Sequence, residues 1–182
     1  MNRNILLSKL HHYFPESEIE QKFKAQIISF IESHENCFER SLEIGHITAS
    51  AWLLNKDNSK ALLMHHAKLD KWFQLGGHCD GNPDVLAVAI KEAQEESGIN
   101  NICAVNQNIF DIDVHLIPAN HKEKEHFHYD IRFLLQVHGD QKITQNNESK
   151  ELRWISKNVD ELPTKSLSVV RMFEKWQNIN IF

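Results

Sequence analysis

The chain has 182 residues, of which 41% are hydrophobic and 25% charged, as is typical of one soluble globular domain with room for an added element. Its formal charge of -5 and its lack of a basic stripe argue against a nucleic-acid partner. The longest unbroken apolar run, Val85 to Ile90, is far shorter than the roughly 20 residues that span a bilayer. Composition therefore excludes nucleic-acid binding and membrane-spanning classes.

The N-terminal sequence MNRNILLSKLHHYF has neither a continuous apolar segment nor a small-residue cleavage site, so it does not resemble a signal peptide. Three cysteines, Cys37, Cys79 and Cys103, are widely spaced and form no C-x-x-C pair. This pattern argues against a disulfide framework and against a zinc ribbon. We therefore expect reduced thiols and a cytoplasmic location.

Helical spacing is evident in the first 44 residues, where apolar side chains recur three and four positions apart. Pro15 separates two segments, and Ser17 with Glu20 has the S-x-x-E form of a capping box at the start of the second. We predict a helical N-terminal extension over residues 1–44 that packs on a main domain over residues 45–182. A homodimer interface formed by these helices, or a transient protein-interaction surface, is the alternative.

The pattern changes to strands from His46 onward. The segments ITASAWLL and ALLMHH flank the polar turn NKDNSK and predict a hairpin. Two later segments, IFDIDVHLI and HFHYDIRFLLQV, alternate apolar and polar residues, which predicts strands with one face of each kind. A short strand from Leu152 to Ile155 and a closing helix from about Ser166 to Trp176 complete a mixed α/β order.

A helix rich in carboxylates lies between the hairpin and the later strands. The Asn-Pro pair at 82–83 predicts its start, with the asparagine as N-cap, and Gly98 predicts its end. Glu92, Glu95 and Glu96 lie at i, i+3 and i+4, where like charges repel by a few tenths of a kcal/mol per pair. A divalent cation with oxygen ligands would convert this repulsion into binding. On the helix alone, a solvated acidic face is the alternative.

The glycine pair at 76–77, predicted as a loop before this helix, completes a unit that resembles the Nudix hydrolase family, whose box reads G-x5-E-x7-R-E-U-x-E-E-x-G-U. Gly77 opens the box, and its later positions are occupied in order by Lys91, Glu92, Ala93, Glu95, Glu96, Gly98 and Ile99. Pro83 replaces the first glutamate, Lys91 replaces arginine and Ala93 is small for an aliphatic position. These departures affect the supporting ion pair more than the metal ligands, and Asp80 or Asp84 is a candidate partner for Lys91.

The segments HITASAWLL, GGHCDG, FDIDVHLIPA and HFHYDIRF together resemble a bacterial branch of the same family, over about residues 46–176. The resemblance implies an α/β fold of the Nudix type, with a mixed sheet sandwiched by helices in addition to the N-terminal helical extension. It implies a metal-dependent pyrophosphohydrolase that cleaves a nucleoside diphosphate linked to another group, such as a nucleoside triphosphate or a nucleotide sugar or alcohol. Water would attack phosphorus in line.

The same resemblance implies Mg²⁺ or Mn²⁺ as cofactor and a small phosphorylated molecule as partner. The implied metal ligands are Gly76, through its carbonyl, Glu92, Glu95 and Glu96. Because all the later box glutamates are present, the alternative of a non-catalytic Nudix-fold sensor of nucleotide-like ligands is disfavoured.

A carboxylate must accept the proton of the attacking water. Glu96 is the first candidate, followed by Glu95, and Glu151 and Glu148 are further candidates that could equally be surface charges. The residues assigned to substrate binding lie beside the box or on one strand face: His78, Asp80, His126, His128 and Arg132. Arg132 is expected to contact phosphate, with structural hydrogen bonding as the alternative for that strand face.

Zinc binding and cysteine catalysis are two alternatives that the sequence supports less well. The candidate zinc ligands are His65, His66, His78, His115, His121, His126 and His128, but there is no H-E-x-x-H motif, and a His-x-His pair on a strand is weak evidence. Cys79 beside His78 is disfavoured as a nucleophile pair because adjacent extended residues point apart. The aromatic residues Trp72, Phe73, Phe127 and Tyr129 are expected in the core rather than stacked on a base.

Overall fold

The structure is a computed structural model that describes residues 2–120 and 123–179. Two helices come first, a set of strands follows around a central helix, and another helix closes the fold. In chain order the elements are α1 (Arg3–His12), α2 (Glu18–Ser33), β1 (Gly45–Leu54), β2 (Lys60–His66), β3 (Lys71–Phe73), β4 (Leu75–His78), α3 (Val85–Ser97), β5 (Ile102–Ala104), β6 (Asp111–Ile117), β7 (His126–Val137), β8 (Ser149–Ser156), a short 3-10 helix (Val159–Glu161) and α4 (Leu167–Asn178).

Hydrogen bonding orders the strands β3-β2-β1-β7-β5, with β4 beside β1, β6 beside β7 and β8 beside β2. The predicted hairpin is present, since β1 and β2 pair antiparallel with Leu53 opposite Leu62. The prediction of a mixed α/β fold with flanking helices and helices at the N-terminus is confirmed. None of the helices among the described residues is long and apolar enough to cross a membrane.

The chain divides into two compact units, the first made of the described parts of residues 1–50, 77–89 and 107–133. In this unit, Ser17 caps α2 by accepting a hydrogen bond of 3.3 Å from the N–H of Glu20, as the capping-box spacing predicted. The buried Glu20 carboxylate also accepts a hydrogen bond of 2.6 Å from the Tyr13 hydroxyl. The Phe30 ring of α2 stacks on Tyr129 of β7 at 4.0 Å between centroids, so α2 packs its apolar side within the unit.

The second unit comprises the described parts of residues 51–76, 90–106 and 134–182. Its strands β2 and β8 pair antiparallel along most of their length, with Leu62 opposite Trp154. The closing helix α4 buries Phe173 and Trp176, and the Trp176 ring lies 6.0 Å from that of Trp52. The predicted strand and closing helix are both present. The strand extends three residues before and one residue after its predicted bounds, and the helix begins one residue later and ends two residues later than predicted.

Two local predictions were wrong. Helix α3 begins at Val85 rather than at residue 83, because the side chain of Asp84, not Asn82, accepts the hydrogen bond from the third residue of the helix, Ala87 (3.1 Å). The glycine pair 76–77 lies in β4 rather than in a loop. On the polar face of β7, His126, Asp130 and Arg132 are buried, and Asp130 and Arg132 belong to a hydrogen-bonded network inside the first unit.

Candidate active site

The carboxylate of Glu96 is buried near the end of α3, with 4% of the residue exposed. It accepts a hydrogen bond of 2.8 Å from the backbone N–H of Gly76 in β4. Burial raises the pKa of Glu96 to about 8; the Gly76 N–H opposes this shift, whereas the neighbouring Glu92, Glu148 and Glu95 add to it. One backbone N–H therefore stabilises the charged form of Glu96, while burial and three neighbouring glutamates oppose it.

Lys91 lies beside the other two box glutamates. Its ammonium group is 3.3 Å from a carboxylate oxygen of Glu92 and 2.9 Å from one of Glu95. Burial raises the pKa of Glu92 even though Lys91 opposes the shift. Of the two aspartates expected as partners for Lys91, Asp84 caps α3 and Asp80 binds Arg40 through two contacts of 2.7 Å. Lys91, which stands at the position of the box arginine, therefore pairs with two of the box glutamates.

The two further candidates for the base occupy different surroundings. Glu148 acts electrostatically on both Glu92 and Glu96 and raises the pKa of each. Glu151 lies on β8, is about half exposed and pairs with Arg153 at 2.7 Å. Electrostatics therefore associates Glu148 with the box glutamates.

Arg132 lies in a buried ion-pair network of the first unit, with 1% of the residue exposed. Its guanidinium contacts carboxylates of Asp130 at 2.7 Å, Asp111 at 2.9 Å and Asp113 at 3.2 Å. Burial lowers the pKa of Arg132, but the three aspartates outweigh burial and the net shift is upward. Ser50 also donates a hydrogen bond of 2.8 Å to Asp130. This geometry corresponds to the structural alternative for Arg132, with its donors directed at protein carboxylates.

Histidines from three strands of the first unit converge at one place. One ligating atom from each of His46 (β1), His78 (β4) and His128 (β7) lies within 4.8 Å of the others. His126 adjoins them, with its Nε2 3.2 Å from Nε2 of His128. His115 lies next to His128, with ring centroids 5.4 Å apart. Of the histidines proposed as zinc ligands, His121 lies outside the described residues, and His65 and His66 are on β2.

The aromatic residues expected in the core differ in their exposure and in their ring contacts. Trp72 stacks on His65 with 5.0 Å between ring centroids, and the Arg153 guanidinium lies 4.6 Å above it. Phe127 is 41% exposed, so for this residue the expected core position was wrong. Tyr129 is stacked on Phe30 within the first unit.

The acidic side of α3 suits a hard divalent cation. Glu92, Glu95 and Glu96 offer only carboxylate oxygens, which are the ligands that Mg²⁺ and Mn²⁺ prefer. Burial opposes ionisation of Glu96, and a nearby cation would relieve that cost. The donor set and its charge therefore fit the implied metal.

Comparison with known proteins agrees with this fold. A family model described as the NUDIX domain matches residues 45–171. Among solved structures, a Nudix-family hydrolase from Clostridium perfringens is 25% identical with a TM-score of 0.55, covering 72% of this chain and 96% of that one. The MutT protein of Methanosarcina mazei Go1 is 20% identical with a TM-score of 0.54, covering 75% and 95%. The dihydroneopterin triphosphate pyrophosphohydrolase of E. coli is 15% identical with a TM-score of 0.54, covering 71% and 92%. No curated protein gave a significant match.

The match to the NUDIX domain, together with the similarity to a solved Nudix hydrolase, defines the class of this protein as a hydrolase of pyrophosphate bonds. The chain belongs to the Nudix family, whose members act on small nucleoside diphosphate-linked substrates. The resemblance found in the box, with its substitutions at Pro83 and Lys91, is thus confirmed at the level of the family.

Sequence reasoning missed one member of the histidine cluster, His46, and the Arg40 partner of Asp80. His46 lies at the start of a strand and belongs to no short motif. By contrast, His78 follows two glycines, and His126 and His128 form a His-x-His pair. The glycine before it was the available signal: a Cβ on Gly45 would lie 2.5 Å from the Phe127 carbonyl oxygen. Only glycine lets β1 approach β7 this closely, which brings His46 beside His126 and His128.

Proposed function

We propose that this hydrolase is a metal-dependent pyrophosphohydrolase that uses the acidic side of α3 to cleave a nucleoside diphosphate linked to another group. The observation that carries the proposal is the buried carboxylate of Glu96, whose pKa rises to about 8 among Glu92, Glu95 and Glu148. Such a group is costly for the protein alone and is typical of a functional site. Nucleoside triphosphates, nucleotide sugars and nucleotide alcohols are the substrate classes to test.

Mg²⁺ or Mn²⁺ held by Glu92, Glu95, Glu96 and the Gly76 carbonyl would neutralise diphosphate oxygens and lower the pKa of a nearby water. The protein itself positions the base. The Gly76 N–H fixes one oxygen of Glu96 from a strand, so the carboxylate keeps its orientation. A cation bound beside Glu96 would favour its ionised form, and the ionised carboxylate would accept the proton of a water that attacks phosphorus.

Fewer residues remain as candidates for substrate binding than the sequence suggested. The guanidinium of Arg132 and the carboxylate of Asp80 are both engaged by other charged side chains. We therefore base substrate contact on the partly exposed His78 and His128 and their neighbour His126. A ring nitrogen of His78 is suited to donate to a phosphate oxygen. The histidines are also suited to ligate a metal ion, and this second role is developed below.

The test is hydrolysis of a panel of diphosphate-linked compounds by wild type and by Glu96→Gln, with Mg²⁺, with Mn²⁺ and with EDTA. We expect turnover of one compound class with metal only, and a rate at least tenfold lower for Glu96→Gln. Glu174→Gln, which changes an exposed glutamate on α4, is the matched control and should keep the wild-type rate. Hydrolysis in ¹⁸O-water should place the label on a phosphate product.

Two results would contradict the proposal: wild-type rates in Glu96→Gln, or turnover that EDTA leaves intact. If a compound binds with metal and no product forms from any member of the panel, the glutamates serve recognition instead, and the sensor alternative applies to this chain.

We also propose that residues 1–44 form an extension to the hydrolase domain of residues 45–182. Packing supports this division of roles, since α2 buries Ile27, Phe30 and Ile31 and stacks Phe30 on Tyr129. An apolar side used within the chain is not available for a dimer. Sedimentation velocity over a hundredfold range of concentration should give a constant monomer mass, and a mass that doubles would support the dimer instead.

A further inference from the structure

We propose that His46, His78 and His128 form a second metal site, specific for a borderline divalent transition metal such as Zn²⁺ or Co²⁺ and separate in chemistry from the carboxylates of α3. The three ligating atoms lie within 4.8 Å of one another and come from three different strands. Imidazole nitrogen suits these metals, whereas Mg²⁺ prefers oxygen. The proposal does not depend on the catalytic role of the glutamates.

The first argument is the state of His46. The residue is 2% exposed, and neither of its ring nitrogens has a hydrogen-bond partner among the described residues. A buried polar group without a partner costs about 1–3 kcal/mol, so native proteins seldom leave one unsatisfied. Coordination of a metal by one nitrogen would remove most of this cost. The rings of His78 and His128 lie next to it and next to each other, with centroids 5.1 and 4.8 Å from that of His46 and 5.0 Å apart.

The second argument is the spacing of the ligands. Zn–N bonds of about 2.0–2.1 Å in a tetrahedral site place ligand nitrogens about 3.4 Å apart. Atoms that already lie within 4.8 Å of one another need to approach by no more than about 1.4 Å, which side-chain rotations supply. Three histidines also leave one tetrahedral position for water or an anion, and the partial exposure of His78 and His128 gives access to it.

The third argument is the hydrogen bonding behind the cluster. Nδ1 of His126 lies 2.8 Å from the Lys124 carbonyl oxygen, which only accepts, so His126 carries its proton on Nδ1. Its Nε2 then accepts from Nε2 of His128, 3.2 Å away, which leaves the lone pair of His128 on Nδ1. A ligand histidine whose second nitrogen is fixed by a hydrogen bond in this way is the usual arrangement around protein-bound zinc.

Nearby charges also favour a cation. The carboxylate of Asp80 and that of Glu123 act electrostatically on His78. His115, whose ring adjoins His128, contacts Asp113 at 3.2 Å, and Asp113 belongs with Asp111 and Asp130 to the network in which one guanidinium faces three carboxylates. Arg40 opposes a cation, but it is bound to Asp80.

The test is Co²⁺ binding to the metal-free full-length protein in excess Mg²⁺, which occupies oxygen sites. We expect one Co²⁺ per chain, with visible absorption bands typical of nitrogen ligands at low coordination number. His78→Gln and His128→Gln should each weaken Co²⁺ binding at least tenfold while circular dichroism stays unchanged. His65→Gln, a histidine on β2, should bind as wild type does, and so should Glu96→Gln, which separates this site from the α3 carboxylates.

Zn²⁺ should displace Co²⁺ with loss of the absorption bands, which gives a readout independent of hydrolysis. The proposal is overturned if wild type binds no Co²⁺ under these conditions, or if His78→Gln and His128→Gln fold and bind Co²⁺ as tightly as wild type. It is equally overturned if His65→Gln weakens binding as much as they do, because binding would then be spread over surface histidines.

Discussion

The backbone N–H of Gly76 donates a hydrogen bond of 2.8 Å to the buried carboxylate of Glu96, 20 residues further along the chain. This contact holds the Glu96 side chain on a strand residue rather than leaving it in solvent. Lys91, by contrast, pairs with the more exposed Glu95. Within one helix turn, Glu96 is thus buried and bound to the backbone of a strand, whereas Glu95 pairs with a lysine near the surface.

In EDTA, Glu96→Gln should be more stable than wild type at neutral and alkaline pH. The pKa of Glu96 is raised from 4.5 to about 8, so folding favours its protonated form. Its stabilising effect is complete below pH 4.5 and is lost as the pH rises through 8. At about 1.4 kcal/mol per pKa unit, the advantage of the variant should grow from near zero at pH 4.5 to the order of a few kcal/mol at pH 8.

Urea denaturation of both proteins from pH 4.5 to 8.5 measures this difference, and titrating groups common to the two proteins cancel. A constant difference in the free energy of unfolding across that range would mean that Glu96 is already ionised at low pH, in conflict with its burial.

Arg132→Met should lower the free energy of unfolding by about 3–5 kcal/mol, because it leaves the carboxylates of Asp111, Asp113 and Asp130 without their cation. The control is Lys124→Met, which breaks an exposed pair with Glu43 and should cost at most about 1 kcal/mol. Thermal and urea unfolding measure both. Equal small effects would show that the buried network contributes little, and would reopen a role for Arg132 outside it.

Asp84→Ala should destabilise the protein by about 1 kcal/mol, since the Asp84 carboxylate accepts the N–H of Ala87 at the start of α3. Asp84→Asn keeps an acceptor at that position and should recover most of the loss. The comparison with Asn82→Ala locates the helix start: Asn82 accepts only from the N–H of Asp84 and should matter less. A larger loss for Asn82→Ala would favour the N-cap that the sequence first suggested.

Iodoacetamide at pH 8 should modify one thiol of the native protein rapidly. Cys103 is exposed, whereas Cys37 and Cys79 are buried. Burial also raises the pKa of Cys37 to about 11, so at pH 8 this thiol stays protonated and is a poor nucleophile. Intact-mass spectrometry should show one adduct in buffer and three in urea. Two or three rapid adducts in buffer would contradict the packing of residues around Cys37 and Cys79.

The sequence by itself determined the family and the order of elements. The spacing from Gly77 to Gly98 and the alternation in β6 and β7 are local signals, set by helix and strand periodicity, and they are readable without contacts between distant residues. The acidic cluster on α3 follows from the same rule, because residues three and four apart lie on one side of a helix.

Only the tertiary structure determines which residues these charged side chains and histidines contact. Whether Arg132 faces phosphate or three aspartates depends on β6 pairing with β7, and the pKa of Glu96 depends on burial against β4. The convergence of His46 with His78 and His128 requires three strands to approach, which Gly45 permits. Burial and contacts between strands depend on packing between residues that are far apart in the sequence, so local periodicity does not predict them.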